Sequence, residues 1–168
     1  MILNDYLQPG LSVVFCGTAA GDRSAERGHL YAGPGSKFWR MLHQTGLTPA
    51  VLSPEDDRRI CAFRIGLTDL VKHHSGADST LQPDMYDVEG FRRKILDHDP
   101  CVVAFNGKKA ASVFLGCKTS ALAFGLHPAK IGQTQTSILP STSGAASGSW
   151  SAQPWHDLAA LIKQLHPK

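Results

Sequence analysis

Leu11-Ser12-Val13-Val14-Phe15-Cys16-Gly17-Thr18-Ala19-Ala20-Gly21 runs a mostly apolar stretch directly into a turn of small residues. A short apolar run closed by turn residues reads as a buried strand of a parallel sheet. In open α/β sheets ligands bind in the loops that leave the carboxyl ends of such strands. The loop after Phe15 is therefore the first place to look for a site. It extends to Trp39 and carries glycines at 17, 21, 28, 33 and 35, where backbone can approach a ligand closely. Before Phe38 it holds one aromatic ring, Tyr31, available to stack on a planar group.

Working outward, Cys101 to Phe105 and Ser137 to Leu139 repeat the pattern, each ending in a turn rich in Gly, Asn or Ser. Ala62 to Leu67 is a weaker fourth run, interrupted by Arg64 in a way that suits an edge. Between the runs the period becomes helical. Val88, Phe91, Ile95 and Leu96 share a face opposite Arg92, Arg93, Lys94 and Asp97, and Trp155, Leu158, Ile162 and Leu165 share another behind Pro154. Phe38, Trp39, Met41 and Leu42 begin a further helix, with Ser36 as a candidate N-cap. Strands alternating with helices predict an α/β fold: a three-layer α/β/α sandwich around a parallel sheet of about four strands.

The 168 residues, 42% of them hydrophobic, suffice for one well-filled core and are short for two, so one domain over 1–168 is expected. A net charge of +3 permits a phosphate-facing surface without requiring one. Cys16, Cys61, Cys101 and Cys117 are scattered, with no C-x-x-C pair or Cys/His cluster, which argues against a zinc or iron–sulfur site and for small core residues in a reducing cytoplasm. The amino terminus lacks the pattern of a signal peptide and no run has the length of a membrane span. A cytoplasmic protein with no membrane association is expected.

Four stretches carry a resemblance. Gly17-Thr-Ala-Ala-Gly21 with Tyr31-Ala-Gly-Pro-Gly-Ser36 and Phe38-Trp39 resembles, in residue type and spacing, the first motif of the uracil-DNA glycosylase superfamily, within it the mismatch-specific uracil and thymine-DNA glycosylase branch. Ile65-Gly-Leu-Thr-Asp69 resembles a stretch that borders the active site in that branch. Val103-Ala-Phe-Asn-Gly-Lys108 is similar to the family's Phe-Asn-Gly-Lys turn, and Leu139-Pro-Ser-Thr-Ser143 to the segment entering its second motif. The motifs keep the family's order from about residue 10 to the end of the chain.

The resemblance implies a monofunctional DNA glycosylase that flips a base out of the helix, because the glycosidic bond is inaccessible in the stacked duplex, and hydrolyses it from deoxyribose. Uracil is the expected base, with thymine and other modified bases as further candidates. The expected partner is mismatched double-stranded DNA, or single-stranded DNA, acted on by a monomer with no cofactor and no metal. Thr18, Ala19, Gly21, Tyr31 and Ser36 would form the base pocket. Gly107, Lys108, Ser141, Thr142, Ser143, Gly144 and Ala145 would meet DNA, Ala145 at the position where relatives insert a larger wedge.

The branch usually has a water-holding Asn where this chain has Ala19. A methyl group cannot hold water, so a carboxylate must take over. Asp69, directly after a strand-like run, is the first candidate and Asp22 the second. Another branch of the superfamily also has Ala there and uses an Asp elsewhere. A surface role for Asp69, capping a helix or holding Lys72, is the plain alternative, and a catalytically silent nucleic-acid binder of the same fold is the alternative function.

Overall fold

The computed structural model describes residues 1–165. Five strands form one sheet: β1 (Val13–Gly17), β2 (Ile65–Asp69), β3 (Val102–Asn106), β4 (Gly125–Ile131) and β5 (Thr134–Leu139). Their order is β2-β1-β3-β5-β4, with every pairing parallel except that of β4 with β5. The expected parallel sheet is thus present with one strand more. β4 escapes sequence reading because its residues alternate between half-buried and exposed along most of its length and it contains Pro128, as suits an antiparallel edge.

Alternation along β1 divides the core. Val13 and Phe15, with Ile65, Leu67, Val102, Ala104 and Leu139, face a layer built from α2 (Phe38–Gln44) and α5 (Gln153–Leu165). Val14 and Cys16, with Val103, Phe105 and Ile138, face α3 (Val88–His98) and α4 (Lys108–Leu115). Two apolar faces explain why the parallel strands read as continuous hydrophobic runs. Phe15, Phe38 and Trp155 meet at the centre of the first layer, with ring centroids 5.3 Å (Phe15 to Phe38) and 5.4 Å (Phe15 to Trp155) apart.

β2 is an edge strand, as the Arg64 interruption suggests: Arg64 itself turns the chain into the strand with φ 62°. The edge is not left bare, because Tyr6 bridges Leu67 by backbone bonds of 2.9 Å in each direction. Among the residues expected on helix faces, Phe91, Ile95, Trp155, Leu158 and Ile162 are buried. Leu96 and Leu165 are exposed, and so is Cys117, the one cysteine that does not pack inward at all. Among the described residues no helix is long and apolar enough to cross a membrane.

A candidate active site at the carboxyl edge of the sheet

The parallel register aligns the ends of the central strands. Gly17 pairs with Asp69 across β1 and β2, and Asn106 with Leu139 across β3 and β5. The loops that follow these ends enclose a cleft of about 640 Å³. Every residue expected at the site borders it. The first loop brings Thr18, Ala19, Gly21, Asp22, Tyr31 and Ser36, the end of β2 brings Asp69, and the β3–α4 turn brings Gly107 and Lys108. Ser141 to Ala145 form the opposite lip.

Asp69 lies at the base of this cleft and is only 5% exposed. It does not hold Lys72, whose ammonium instead pairs with Asp5 at 2.8 Å. Nor does it cap a helix, since the chain leaves β2 through a turn tied back to β1 by bonds from Leu70 and Val71 to the carbonyls of Gly17 and Thr18. Burial pushes the Asp69 carboxyl up to about 6, against the pull of the nearby Lys72 charge and a hydrogen bond from the Gly17 backbone. A side chain on Gly17 would stand 2.7 Å from Asp69 Oδ1, so the carboxylate occupies space that only a glycine leaves open.

Behind Asp69 sits a polar cluster that sequence reading does not single out. Asp5 accepts from Lys72 (2.8 Å), Lys94 (2.6 Å) and the Thr68 hydroxyl (2.7 Å). Burial disfavours the charge on Asp5, and these donors outweigh it and hold its carboxyl below the ordinary range. No sequence pattern links residues 5, 72 and 94.

Asp22 stands apart. It is exposed at the start of α1 (Asp22–Arg27), where its carboxylate accepts from the Ser75 hydroxyl at 2.8 Å. The two candidate acids therefore differ in kind: one is buried beneath the cleft and the other tethers its rim.

Tyr31 adopts φ 53° and lays one ring face on Phe38, with centroids 3.9 Å apart and planes within 20°. Its hydroxyl is buried beside the Asn106 side chain, short of a well-formed hydrogen bond to protein. Burial, and after it the Asp69 charge, disfavour its ionisation strongly. The loop carrying it is pinned by buried Asp57, which accepts from the Leu30 amide (3.1 Å) and the Tyr6 hydroxyl (3.2 Å) and faces His29 Nδ1 at 3.3 Å. Ser24 Oγ accepts from the Ala32 amide at 2.9 Å, and Leu30 O from Trp39 Nε1 at 3.1 Å.

On the opposite lip Thr142 is buried. Asn106 Nδ2 donates to its hydroxyl at 2.9 Å, its amide donates to Asn106 Oδ1 at 3.0 Å, and its carbonyl accepts from the Lys37 amide at 2.9 Å. Thr142 thus anchors the lip from inside and does not present its hydroxyl to a phosphate. The hydroxyl oxygens of Ser141 and Ser143 accept from the amides of Ser143 (3.2 Å) and Ala145 (3.3 Å). The Gly107 amide is consumed by Leu139 O at 2.9 Å, and the Lys108 ammonium lies over the Phe124 ring, 4.6 Å from its centroid. Asn106 was visible in the sequence as part of a turn, yet its tie to Thr142 needs the sheet register to appear.

The lips touch. A side chain on Gly35 would meet Gly144 Cα at 3.3 Å, and one on Gly144 would meet Pro34 O at 3.2 Å. Two glycines facing each other let the 33–36 loop and the 141–146 loop close one end of the cleft. Ser36 Oγ accepts from the Phe38 amide at 3.4 Å, and Lys37 precedes the first residue of α2.

The sequence profile of the Uracil DNA glycosylase superfamily matches residues 4–164. The chain belongs to that superfamily. Its class is accordingly that of a DNA glycosylase of the uracil-excising type, with DNA as partner. The fold agrees: the solution NMR structure of a candidate uracil DNA glycosylase from Methanosarcina acetivorans superposes with a TM-score of 0.66 at 21% identity, over 97% of this chain and 96% of that one.

Proposed function

We propose that the protein is a monofunctional, mismatch-specific DNA glycosylase that excises uracil, and thymine or other modified bases where the pocket admits them, from mismatched or single-stranded DNA. The observation that carries this reading is Asp69, a carboxylate buried at the base of a cleft whose nearer wall is Gly17, Thr18 and Ala19. Small residues there leave room for a base, while Tyr31 offers the ring face not covered by Phe38. The resemblance to the mismatch-specific uracil and thymine-DNA glycosylase branch supports the choice of substrate.

In the proposed reaction the C1′–N bond breaks and its electron pair leaves with the base. Positive charge then develops on the sugar. Asp69, ionised above its pKa of about 6, stabilises that charge and orients a water molecule. The water oxygen bonds to C1′, its proton passes through Asp69 to solvent, and the departed base takes up a proton. Ala19 makes this role necessary, because the first loop offers no side chain to hold water at that position.

Ala19 also favours one second reading, a silent binder that kept the pocket and lost turnover. Incubation with a uracil-containing duplex followed by alkaline treatment separates them. Strand breaks at the uracil support the glycosylase; retention on DNA without breaks supports the binder. Duplexes that differ only in the target base and in the base opposite then define the range.

A further inference from the structure

Behind the Tyr31–Ser36 loop runs a second groove of about 450 Å³. Tyr31, Gly33, Pro34 and Ser36 border both this groove and the cleft, so the loop is a shared wall between them. Three arginines line the groove, Arg23, Arg27 and Arg40, and no carboxylate does. The cleft itself is different, since Asp22, Asp69 and Asp78 oppose Lys108 and Lys109 there.

The three guanidinium groups are not equivalent. Arg27 is committed to the fold: it donates to Ala32 O at 2.8 Å and is paired with Glu55. Arg23 lies 3.9 Å from Glu26 with its side chain 69% exposed, a contact that binds it weakly. Arg40 is exposed and forms no ion pair among the described residues. Between these cations the wall is apolar, with Val51 56% exposed and Pro34 at the crest that separates groove from cleft.

We infer that this groove carries the DNA strand on one side of the flipped nucleotide, with Arg23 and Arg40 each contacting a backbone phosphate. The inference rests on the glycosylase reading of the cleft. Arg40 without an ion pair and Arg23 only weakly held by Glu26 favour an anionic strand, and the apolar wall suits the sugar and base faces that lie between phosphates. Continuity with the cleft selects the same strand that enters it. The strand would cross the Pro34–Gly35 crest, leaving Lys108 and Lys109 to meet backbone at the far side of the cleft.

The test is the salt dependence of binding to a duplex with a stable abasic-site analogue, which is not cleaved. Arg23→Gln and Arg40→Gln should each lower the slope of log affinity against log salt by about 1, as expected for loss of one phosphate contact. Arg93→Gln, which removes the same charge from the exposed face of α3, should leave the slope unchanged. Shortening the duplex on one side only should cost the wild type as much affinity as the double substitution, and cost the double variant nothing further. A wild type that excises uracil while the arginine variants keep its slope, or while Arg93→Gln matches them, would overturn the groove and leave the glycosylase reading standing. A wild type that neither binds nor cleaves uracil-containing DNA would overturn the reading beneath it.

Discussion

Gly17 and Asp69 are register partners on adjacent parallel strands, and the carboxylate of one lies where the side chain of the other would be, 2.7 Å from an ideal Cβ. The catalytic candidate is therefore positioned by an absence. Gly17→Ala should force Asp69 to move while leaving strand pairing intact, because β1 donates its bonds through the backbone. A displacement of about 1 Å at reacting groups can cost about 10²-fold, so a single-turnover excision assay should show a loss of that order with DNA affinity kept. A wild-type rate in Gly17→Ala would mean that the position of this carboxylate is immaterial.

Asp69→Asn should separate charge from shape. Loss of one preorganised electrostatic group costs about 10²–10³-fold in rate, and the excision rate should fall accordingly. Asp22→Asn should be mild, since that carboxylate is exposed and bonded to Ser75. DNA binding should survive in both. A collapse confined to Asp22→Asn would transfer the catalytic role to the rim.

The pH dependence follows from the sign of the shift. Asp69 has its folded-state pKa raised from 3.8 to about 6, so the folded protein binds a proton that the unfolded chain releases between those values. Stability contributed by the protonated acid is thus full below about pH 4 and is lost as pH rises through 6. Activity runs the opposite way, declining as pH falls through 6 because the carboxylate is neutralised. Two units correspond to about 3 kcal/mol, so Asp69→Asn should gain about 1–3 kcal/mol in denaturant unfolding at pH 7, where the wild type buries a charge. Equal stability of the two proteins at pH 7 would contradict a buried, desolvated carboxylate.

How much of this was legible beforehand divides along physical lines. β1, β3 and β5 announce themselves because both faces are buried, which removes polar alternation. β4, half exposed and interrupted by Pro128, carries no such signal. The residues expected at the site do meet in one cleft, since each follows a strand and parallel strands end on the same side. Contacts that depend on register or on long separations were illegible: Asn106 with Thr142, Thr18 with Asp78 at 2.6 Å, and Asp5 with Lys72 and Lys94. The packing of Trp150 on Trp155, ring centroids 6.3 Å apart with Lys37 lying over Trp150 at 5.2 Å, is likewise invisible to sequence spacing.

Tyr31 holds a buried hydroxyl whose contact with Asn106 falls short of a well-formed hydrogen bond, and leaving a buried polar group unpaired costs about 1–3 kcal/mol. Tyr31→Phe should therefore raise the thermal midpoint while preserving the ring that stacks on Phe38 and on an incoming base. Excision should be largely preserved. Tyr31→Ala removes the ring, and base–aromatic stacking is worth about 1–3 kcal/mol, so excision should slow about tenfold or more. A Tyr31→Phe protein that is more stable but inactive would show that the hydroxyl bonds substrate or water during reaction.

Ala145 occupies the exposed tip of the 141–146 lip, with its amide bonded to Ser143 Oγ and its methyl group the only side chain it can insert into a duplex. Trp150, the other large side chain near the lip, packs against Trp155 in the free protein. A methyl group fills little of the space a flipped base vacates, and extruding a well-paired base costs a few kcal/mol, less when the pair is mismatched or absent. The excision rate should therefore rank single-stranded uracil and uracil opposite guanine above uracil opposite adenine. Ala145→Leu should narrow that gap by speeding the adenine-paired substrate, with little change on single strands. If the opposing base makes no difference to the wild type and Ala145→Leu changes nothing, the lip is not the element that holds the duplex open.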